Sequence, residues 1–159
     1  MGPHRNHREE VTLAVLRTAD HLRCVIGHAL QPFGLTLQQY NVLRILRGTG
    51  GRGLPTLSIA ECMIERTPGI TRLLDRIEQQ GWVRRERCQK DRRVVYAQIT
   101  DSGRELLDAI EKALQHLTDA TMPVFDEQET AHILQLLARL RQVTSIPSIS
   151  ANRNHAECP

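Results

Sequence analysis

The stretch that decides the fold is residues 67–99, which read TPGITRLLDRIEQQGWVRRERCQKDRRVVYAQI. Its first half predicts one amphipathic helix over residues 67–80. Thr67 can cap that helix through its side-chain oxygen, and Pro68 suits the first helical position, where its missing N–H costs nothing. An apolar stripe at helical spacing follows, made of Ile70, Leu73, Leu74 and Ile77. The opposite face carries Thr71, Arg72, Asp75 and Arg76.

The second half predicts a basic β-hairpin. After the helix breaker Gly81, a strand through Cys88 leads to a polar tip at residues 89–93 and a returning strand at 94–99. Between Arg84 and Arg93 lie six basic residues and two acidic ones. A one-sided helix beside a basic hairpin is typical of proteins that read the DNA major groove and contact the backbone or minor groove next to it.

Helices are predicted for most of the remaining chain. The first runs from Glu9 to Leu30, and the second begins at Thr36, where Gln39 completes a capping box, and ends at Gly48. A glycine-rich connector spans 48–55, and the third helix spans 56–65. Two long helices follow the hairpin, one from 100 to 122 and one from Asp126, where Glu129 completes a second capping box. The predicted fold class is therefore mainly α with a small β-hairpin wing.

Composition and charge are compatible with a nucleic-acid partner. The net charge is +3, but residues 1–99 hold sixteen Lys/Arg against nine Asp/Glu, whereas residues 100–145 hold four against eight. No apolar run reaches the roughly 18 residues that cross a membrane, and residues 1–8 lack the apolar core of a secretion signal. The four cysteines are scattered without a CxxC pair, which predicts reduced thiols in the cytoplasm.

Several segments together resemble the MarR family of winged helix-turn-helix transcription regulators. They are residues 35–43 (LTLQQYNVL), residues 57–61 (LSIAE), residues 67–75 (TPGITRLLD), residues 81–85 (GWVRR), residues 91–93 (DRR) and the pattern Ile99-Thr100-x-x-Gly103. Each segment alone is weak, but the ordered set covers roughly residues 10–143. The resemblance implies a homodimer that binds double-stranded DNA at a pseudo-palindromic operator, usually as a repressor.

This resemblance divides the chain into four regions. Residues 1–8 and 146–159 are expected to be flexible, 9–34 and 104–145 to form a helical dimerisation region, and 35–103 to form the winged helix-turn-helix domain. Helices at the two chain ends carry more apolar surface than one small winged module can cover, which agrees with a dimer. A monomer with a compact helical cap is the alternative.

The predicted DNA contacts lie on the reading helix and the wing tip. Side chains facing away from the apolar stripe can meet bases and phosphates, and the helix start can approach a phosphate closely. The family resemblance gives Arg93 a place in the minor groove, with Asp91 orienting a neighbouring arginine. The DNA-binding candidates are Thr67, Pro68, Gly69, Thr71, Arg72, Arg76, Lys90, Asp91, Arg92 and Arg93. Arg84, Arg85 and Arg87 are weaker candidates, because strand alternation must turn some of them away from DNA.

Two regulatory modes follow from the same resemblance. A small aromatic or phenolic effector can bind between the dimer helices and the winged lobe, where the polar candidates are Arg17, His21, Tyr40 and Arg44. The alternative is a cysteine-based redox switch, for which Cys88 and Cys24 are the candidates. The position used by peroxide-sensing relatives falls near Thr12 here, which argues against that subgroup.

Other functions find less support in the sequence. Residues 48–53 (GTGGRG) fit a dinucleotide-binding glycine pattern by letter but follow a helix instead of a strand. His21 and His28 lack metal-ligand spacing, so no metal, cofactor or catalytic site is predicted. Two alternatives remain open: a sequence-tolerant architectural DNA-binding protein, and a winged module used only for protein contacts.

Overall fold

The computed structural model describes residues 6–64, 69–121 and 125–143, with side chains through 116 in the second range and through 142 in the third. The chain order is α1 (His7–Leu30), a short 3-10 turn (Gln31–Phe33), α2 (Leu37–Gly48), β1 (Leu54–Pro55), α3 (Thr56–Cys62), α4 (Ile70–Gln79), β2 (Val83–Arg87), β3 (Val95–Ile99), α5 (Asp101–Thr121) and α6 (Glu127–Val143). Of the segments predicted to be flexible, 1–8 and 146–159, residues 1–5 and 146–159 lie outside the described residues, whereas His7 and Arg8 belong to α1.

Helix starts follow the predicted capping chemistry. Thr36 Oγ1 accepts a hydrogen bond from the Gln39 N–H at 3.3 Å, and Gln39 Oε1 accepts from the Thr36 N–H at 2.8 Å. Asp126 and Glu129 form the same reciprocal pair at the start of α6, so both predicted capping boxes are confirmed. Helix α1 begins at His7, two residues earlier than predicted, because the Asn6 side chain accepts from the Arg8 N–H.

The reading helix, α4, begins later than predicted. It starts at Ile70 instead of Thr67, because Gly69 has a φ of 92°, which is incompatible with a right-handed helix. Gly69 therefore occupies the N-cap position, and no side chain caps the helix. The predicted cap Thr67 and the predicted first helical residue Pro68 lie outside the described residues. The prediction that α3 extends to Glu65 is wrong, because α3 ends at Cys62 and Met63 is extended, with a ψ of 139°.

The wing belongs to a three-stranded antiparallel sheet in the order β1-β3-β2. The predicted hairpin is confirmed, with Val83 opposite Ile99 and Arg87 opposite Val95. The third strand was not predicted, since β1 has only two residues, with Leu54 opposite Ala97 and Pro55 opposite Tyr96. Gly53 precedes this strand at a position with no room for a side chain. An added Cβ would lie 2.5 Å from Gln98 Cγ and 2.9 Å from the Ala97 carbonyl oxygen.

The core joins the winged lobe to the first half of α5. Leu43, Leu46, Ile59, Leu74 and Ile77 are fully buried. Leu107 and Ile110 of α5 are equally buried in the same cluster. The lobe therefore extends beyond residue 103 and includes the first half of α5.

The outer helices keep large apolar side chains exposed. Leu16 on α1 is 60% exposed and Leu134 on α6 is 62% exposed, and Val11, Leu22, Ile133, Leu136 and Leu137 share this property. None of the described helices is long and apolar enough to span a membrane. Cys24 and Cys88 are free thiols, whereas Cys62 is disulfide-bonded, so the prediction that the cysteines are all reduced is wrong for Cys62.

Candidate DNA-binding surface

Helix α4 buries its apolar stripe and exposes its polar face. Ile70, Leu74 and Ile77 are buried, and Leu73 is half-buried against the same core. Thr71, Arg72 and Arg76 are exposed on the other side, together with Gly69 at the N-cap. The predicted division of this helix into a core face and a solvent face is therefore confirmed.

Arg85 ties the wing to α4. Its Nη2 donates to Asp75 Oδ1 at 2.6 Å and to Glu78 Oε2 at 2.5 Å, its Nε donates to Glu78 Oε2 at 2.9 Å, and its backbone N–H donates to Glu78 Oε1 at 3.0 Å. The hydrogen bond to Glu78 is the main cause that raises the pKa of Arg85. Four bonds from one residue fix the angle between the reading helix and β2.

The wing tip is a polar turn held by Asp91. Asp91 Oδ1 accepts a hydrogen bond from the Arg93 backbone N–H at 3.0 Å, the geometry of an Asx turn. The Cys88 N–H donates to the Val94 carbonyl oxygen at 2.9 Å and closes the hairpin behind the tip. Lys90, Asp91, Arg92 and Arg93 are all exposed, which leaves three positive charges at the end of the wing.

Helix and wing share one groove of about 290 Å³. Thr71 contributes the α4 wall and Arg93 the wing wall, while Thr56 and Leu57 line it from the start of α3. Arg76 does not reach this groove, because it lines a separate cavity of about 330 Å³ with Trp82 and Gln39. The structure thus brings two predicted DNA-contact residues together and places a third elsewhere.

The four predicted effector residues are divided between α1 and α2. The Arg44 guanidinium lies over the Tyr40 ring, 5.8 Å from its centroid, whereas Arg17 and His21 are exposed on α1. Burial is the main cause that raises the pKa of the Tyr40 hydroxyl. An apolar cleft of about 290 Å³ lies elsewhere on α2, lined by Ala19, Leu22, Arg23 and Ile26 of α1, Leu37, Gln38 and Asn41 of α2, and Met63 and Ile64 after α3. None of the four predicted residues lines this cleft, so their role stays a prediction.

The structure shows two arginine networks; sequence reasoning missed the one around Arg47, and for Arg85 it indicated a structural role but not the partners. Arg47 on α2 forms ion pairs with Glu111 and Asp108 on α5, and the hydrogen bond to Glu111 is the main cause that raises the pKa of Arg47. The second network is the one around Arg85. A usable signal for it existed, because strand alternation puts Arg85 on the same face as buried Val83.

The free cysteines and the histidines form no chemical cluster in the part of the chain that the structure describes. Cys24 is exposed on α1, and Cys88 is half-buried at the end of β2. Residues 6–64, 69–121 and 125–143 contain no group of three metal-ligating side chains.

Helix α3 is followed by the reading helix α4, which is bonded to a basic hairpin in a small antiparallel sheet. This arrangement defines a winged helix-turn-helix protein. The sequence profile of the MarR family matches residues 35–95. A MarR transcription factor from Planctomyces limnophilus is 34% identical, with a TM-score of 0.64 over 85% of this chain and 95% of that structure. The transcriptional regulator PA4135 is 31% identical, with a TM-score of 0.70 over 84% of this chain and 97% of that structure.

The chain belongs to the MarR family. The HTH-type transcriptional regulator PecS of Dickeya dadantii is 29% identical over 147 residues, which cover 87% of this chain and 88% of PecS. The protein is therefore a DNA-binding transcription regulator with a winged-helix fold, and it is not an enzyme.

Proposed function

We propose that this protein is a cytoplasmic homodimeric repressor that binds a pseudo-palindromic operator and is released by a small aromatic or phenolic effector. The observation that carries the DNA-binding part is the single groove lined by Thr71 of α4 and Arg93 of the wing. A groove between a reading helix and a basic wing suits a duplex that presents its major groove to α4 and its adjacent minor groove to the wing. MepR of S. aureus, which shares this fold at 22% identity, was solved as a DNA complex.

The exposed apolar faces of α1 and α6 support the homodimer. Neither helix lines the groove, so two lobes joined through these faces can bind two half-sites at once. On this basis residues 9–34 and the C-terminal part of 104–145 form the dimer contact.

The apolar cleft between α1 and α2 supports the effector part of the proposal. Met63 and Ile64, which line it, directly precede the segment that leads into α4. An apolar ring bound there contacts both a dimerisation helix and the helix-turn-helix, so it can favour one spacing of the lobes over another. NadR, a structure with the same fold at 23% identity, contains bound 4-hydroxyphenylacetate.

The DNA part is tested by substituting one arginine at the groove and one far from it. Binding of the full chain to a labelled duplex from upstream of its own gene is measured by fluorescence anisotropy for wild type, Arg93→Ala and Arg8→Ala. Both residues are exposed arginines, but Arg8 lies at the start of α1, outside the groove and outside the proposed dimer contact. We expect Arg93→Ala to weaken binding roughly tenfold and Arg8→Ala to change it less than about twofold. Equal effects of the two substitutions contradict the proposal.

The effector part is tested by filling the cleft. The probe is 4-hydroxyphenylacetate, titrated into the protein–duplex complex of wild type and of Ala19→Phe. We expect the probe to release wild type from DNA and to have no effect on Ala19→Phe, which still binds the duplex without probe. Release of both proteins alike places the effector outside this cleft and overturns the assignment.

A further inference from the structure

The connector between α2 and β1 has a geometry that the DNA-reading surface does not use. Gly50, Gly51 and Gly53 have φ angles of 62°, 90° and 73°, so the chain folds back on the end of α2. The N–H groups of Gly50, Arg52 and Gly53 donate to Arg47 O, Thr49 O and Thr49 Oγ1. The Gly51 N–H has no acceptor within the described parts of the chain.

Two arginines, Arg84 and Arg104, lie next to this loop, and a third, Arg52, belongs to it. An added Cβ at Gly51 would lie 3.5 Å from Arg104 Nη2, which places that guanidinium directly beside the loop. Arg84 donates from Nε and Nη2 to Gln98 Oε1 at 3.0 and 2.7 Å, and Gln98 Nε2 donates to the Arg52 carbonyl oxygen at 3.4 Å. The Arg52 Nε donates to the Thr49 carbonyl oxygen at 3.3 Å, which leaves both of its Nη groups for another acceptor.

The charge of this region is strongly positive. Among the contacts of these three arginines, the only carboxylate in the described structure is Asp101, whose side chain is 99% exposed and lies 3.7 Å from Arg104 Nε. Arg85 faces α4, so its strand neighbour Arg84 faces the opposite side of the sheet. The cluster therefore lies on the other side of the sheet from α4, and none of its three arginines lines the helix–wing groove.

We propose that residues 50–53, together with Arg84 and Arg104, form a phosphate-binding site, which we name the glycine–arginine loop. The one N–H in this loop that remains available, that of Gly51, can donate to an anion as backbone N–H groups in glycine turns do, and the guanidinium groups of the arginines bind phosphate oxygens in pairs. This chemistry does not require the strand–turn–helix of a dinucleotide fold, which the loop lacks because it leads from a helix into β1. The phosphate is carried either by a small phosphorylated molecule or by DNA that flanks the operator.

The site is tested by isothermal titration of inorganic pyrophosphate into the full-length protein at an ionic strength fixed with KCl. The variants are Arg52→Gln/Arg104→Gln at the loop, Arg93→Gln on the DNA-reading surface and Arg139→Gln on α6. Thermal unfolding checks that each variant is folded. We expect the loop variant to bind pyrophosphate at least tenfold more weakly than wild type and the other two to bind within about twofold of it. Equal loss in Arg93→Gln, no loss in the loop variant, or no binding to wild type overturns the proposal.

A second arm distinguishes the two sources of phosphate. Anisotropy compares an operator duplex with the same duplex extended by about one helical turn at each end. If the extension tightens binding of wild type but not of the loop variant, the phosphate belongs to flanking DNA. If extension has no effect while pyrophosphate still binds the loop, a small phosphorylated molecule is the ligand. The titration does not depend on operator binding, so its failure and a failure of the proposed repressor function are distinguishable.

Discussion

At the scale of single residues, the pattern Ile99-Thr100-x-x-Gly103 has a direct physical cause. Thr100 Oγ1 accepts from the Gly103 N–H at 3.1 Å and caps α5, and it also donates to the Gly81 carbonyl oxygen at 2.7 Å. The Thr100 N–H donates to the Trp82 carbonyl oxygen at 3.0 Å. Gly103 is buried against that same carbonyl, where a side chain has no room.

The first prediction is that Gly103→Ala destabilises the lobe. The new Cβ overlaps the Trp82 carbonyl oxygen and lies 2.9 Å from Ile99 Cγ1, so backbone has to move. Overpacking of this kind costs about 1–3 kcal/mol in the free energy of unfolding, measured by urea denaturation. Ser102→Ala, at the exposed neighbouring position, is the control and should change stability by less than about 0.5 kcal/mol. A Gly103→Ala protein as stable as wild type contradicts the packing described.

The second prediction concerns Tyr40 and alkaline pH. Burial raises the pKa of Tyr40 above 10.0, against the opposing effect of Arg44. The pKa of Tyr40 is higher in the folded than in the unfolded protein. The stability linked to it is therefore fully present below the unfolded pKa and is lost as pH rises through the folded pKa. Tyr40→Phe has no ionisable group there. We therefore expect wild type to lose more unfolding free energy than Tyr40→Phe between about pH 9 and about pH 11 in denaturation experiments. Parallel losses in the two proteins contradict the assignment.

At the scale of elements, the sheet is the part that holds the reading helix at a fixed angle. Arg85, with its side chain only 21% exposed, bonds Asp75 and Glu78, while its neighbour Arg84 pairs across the strands with Gln98 on the other face. Asp75 and Glu78 are 44% and 36% exposed, so solvent screens the ion pairs and their net contribution to stability is modest.

The third prediction compares these two arginines. Arg85→Ala should lower the free energy of unfolding by about 1 kcal/mol, because it removes the ion pairs with α4. Arg84→Ala, a matched change on the opposite face of the same strand, should lower it by less than about 0.5 kcal/mol. A double-mutant cycle of Arg85→Ala with Glu78→Ala isolates the coupling between strand and helix. A coupling energy of zero contradicts the view that the Arg85–Glu78 pair holds β2 to α4.

The helices and strands differ in how well the sequence predicts them. The amphipathic helix, the basic hairpin and both capping boxes were predictable, because the pattern that indicates each lies in one short continuous stretch of sequence. The start of α4 and strand β1 were not predictable, since the first depends on the positive φ of Gly69 and the second on pairing with β3 more than forty residues later. The partners of Arg85 and the apolar cleft likewise depend on tertiary packing, which periodicity does not reveal.

At the scale of the whole molecule, α1 and α6 expose apolar side chains that a monomer leaves in water. Burying one such leucine contributes about 1.5–3 kcal/mol, so a second copy on this face gains substantially. Leu107 and Ile110 of α5 are packed inside the core of the lobe, so a contact between the proposed dimerisation helices can act on the lobe through α5.

The fourth prediction is that Leu134→Glu dissociates the homodimer. Leu134 is 62% exposed on α6, and a charge there is desolvated on dimerisation. Leu57→Glu is the control, since Leu57 is 76% exposed on the lobe, away from the proposed dimer face. Sedimentation equilibrium should give a monomer for Leu134→Glu and a dimer for wild type and Leu57→Glu. A dimer in all three proteins places the interface elsewhere.

The most direct test of sequence-specific DNA binding by this protein is competition between two duplexes. A labelled duplex from immediately upstream of the protein's own gene is titrated with the full chain and followed by fluorescence anisotropy, with unlabelled random duplex as competitor at fixed salt. The proposed repressor binds the labelled duplex tightly and keeps it when random duplex is in large excess. Binding that the random duplex erases, or no binding at any modest salt concentration, contradicts a sequence-specific regulator of its own gene.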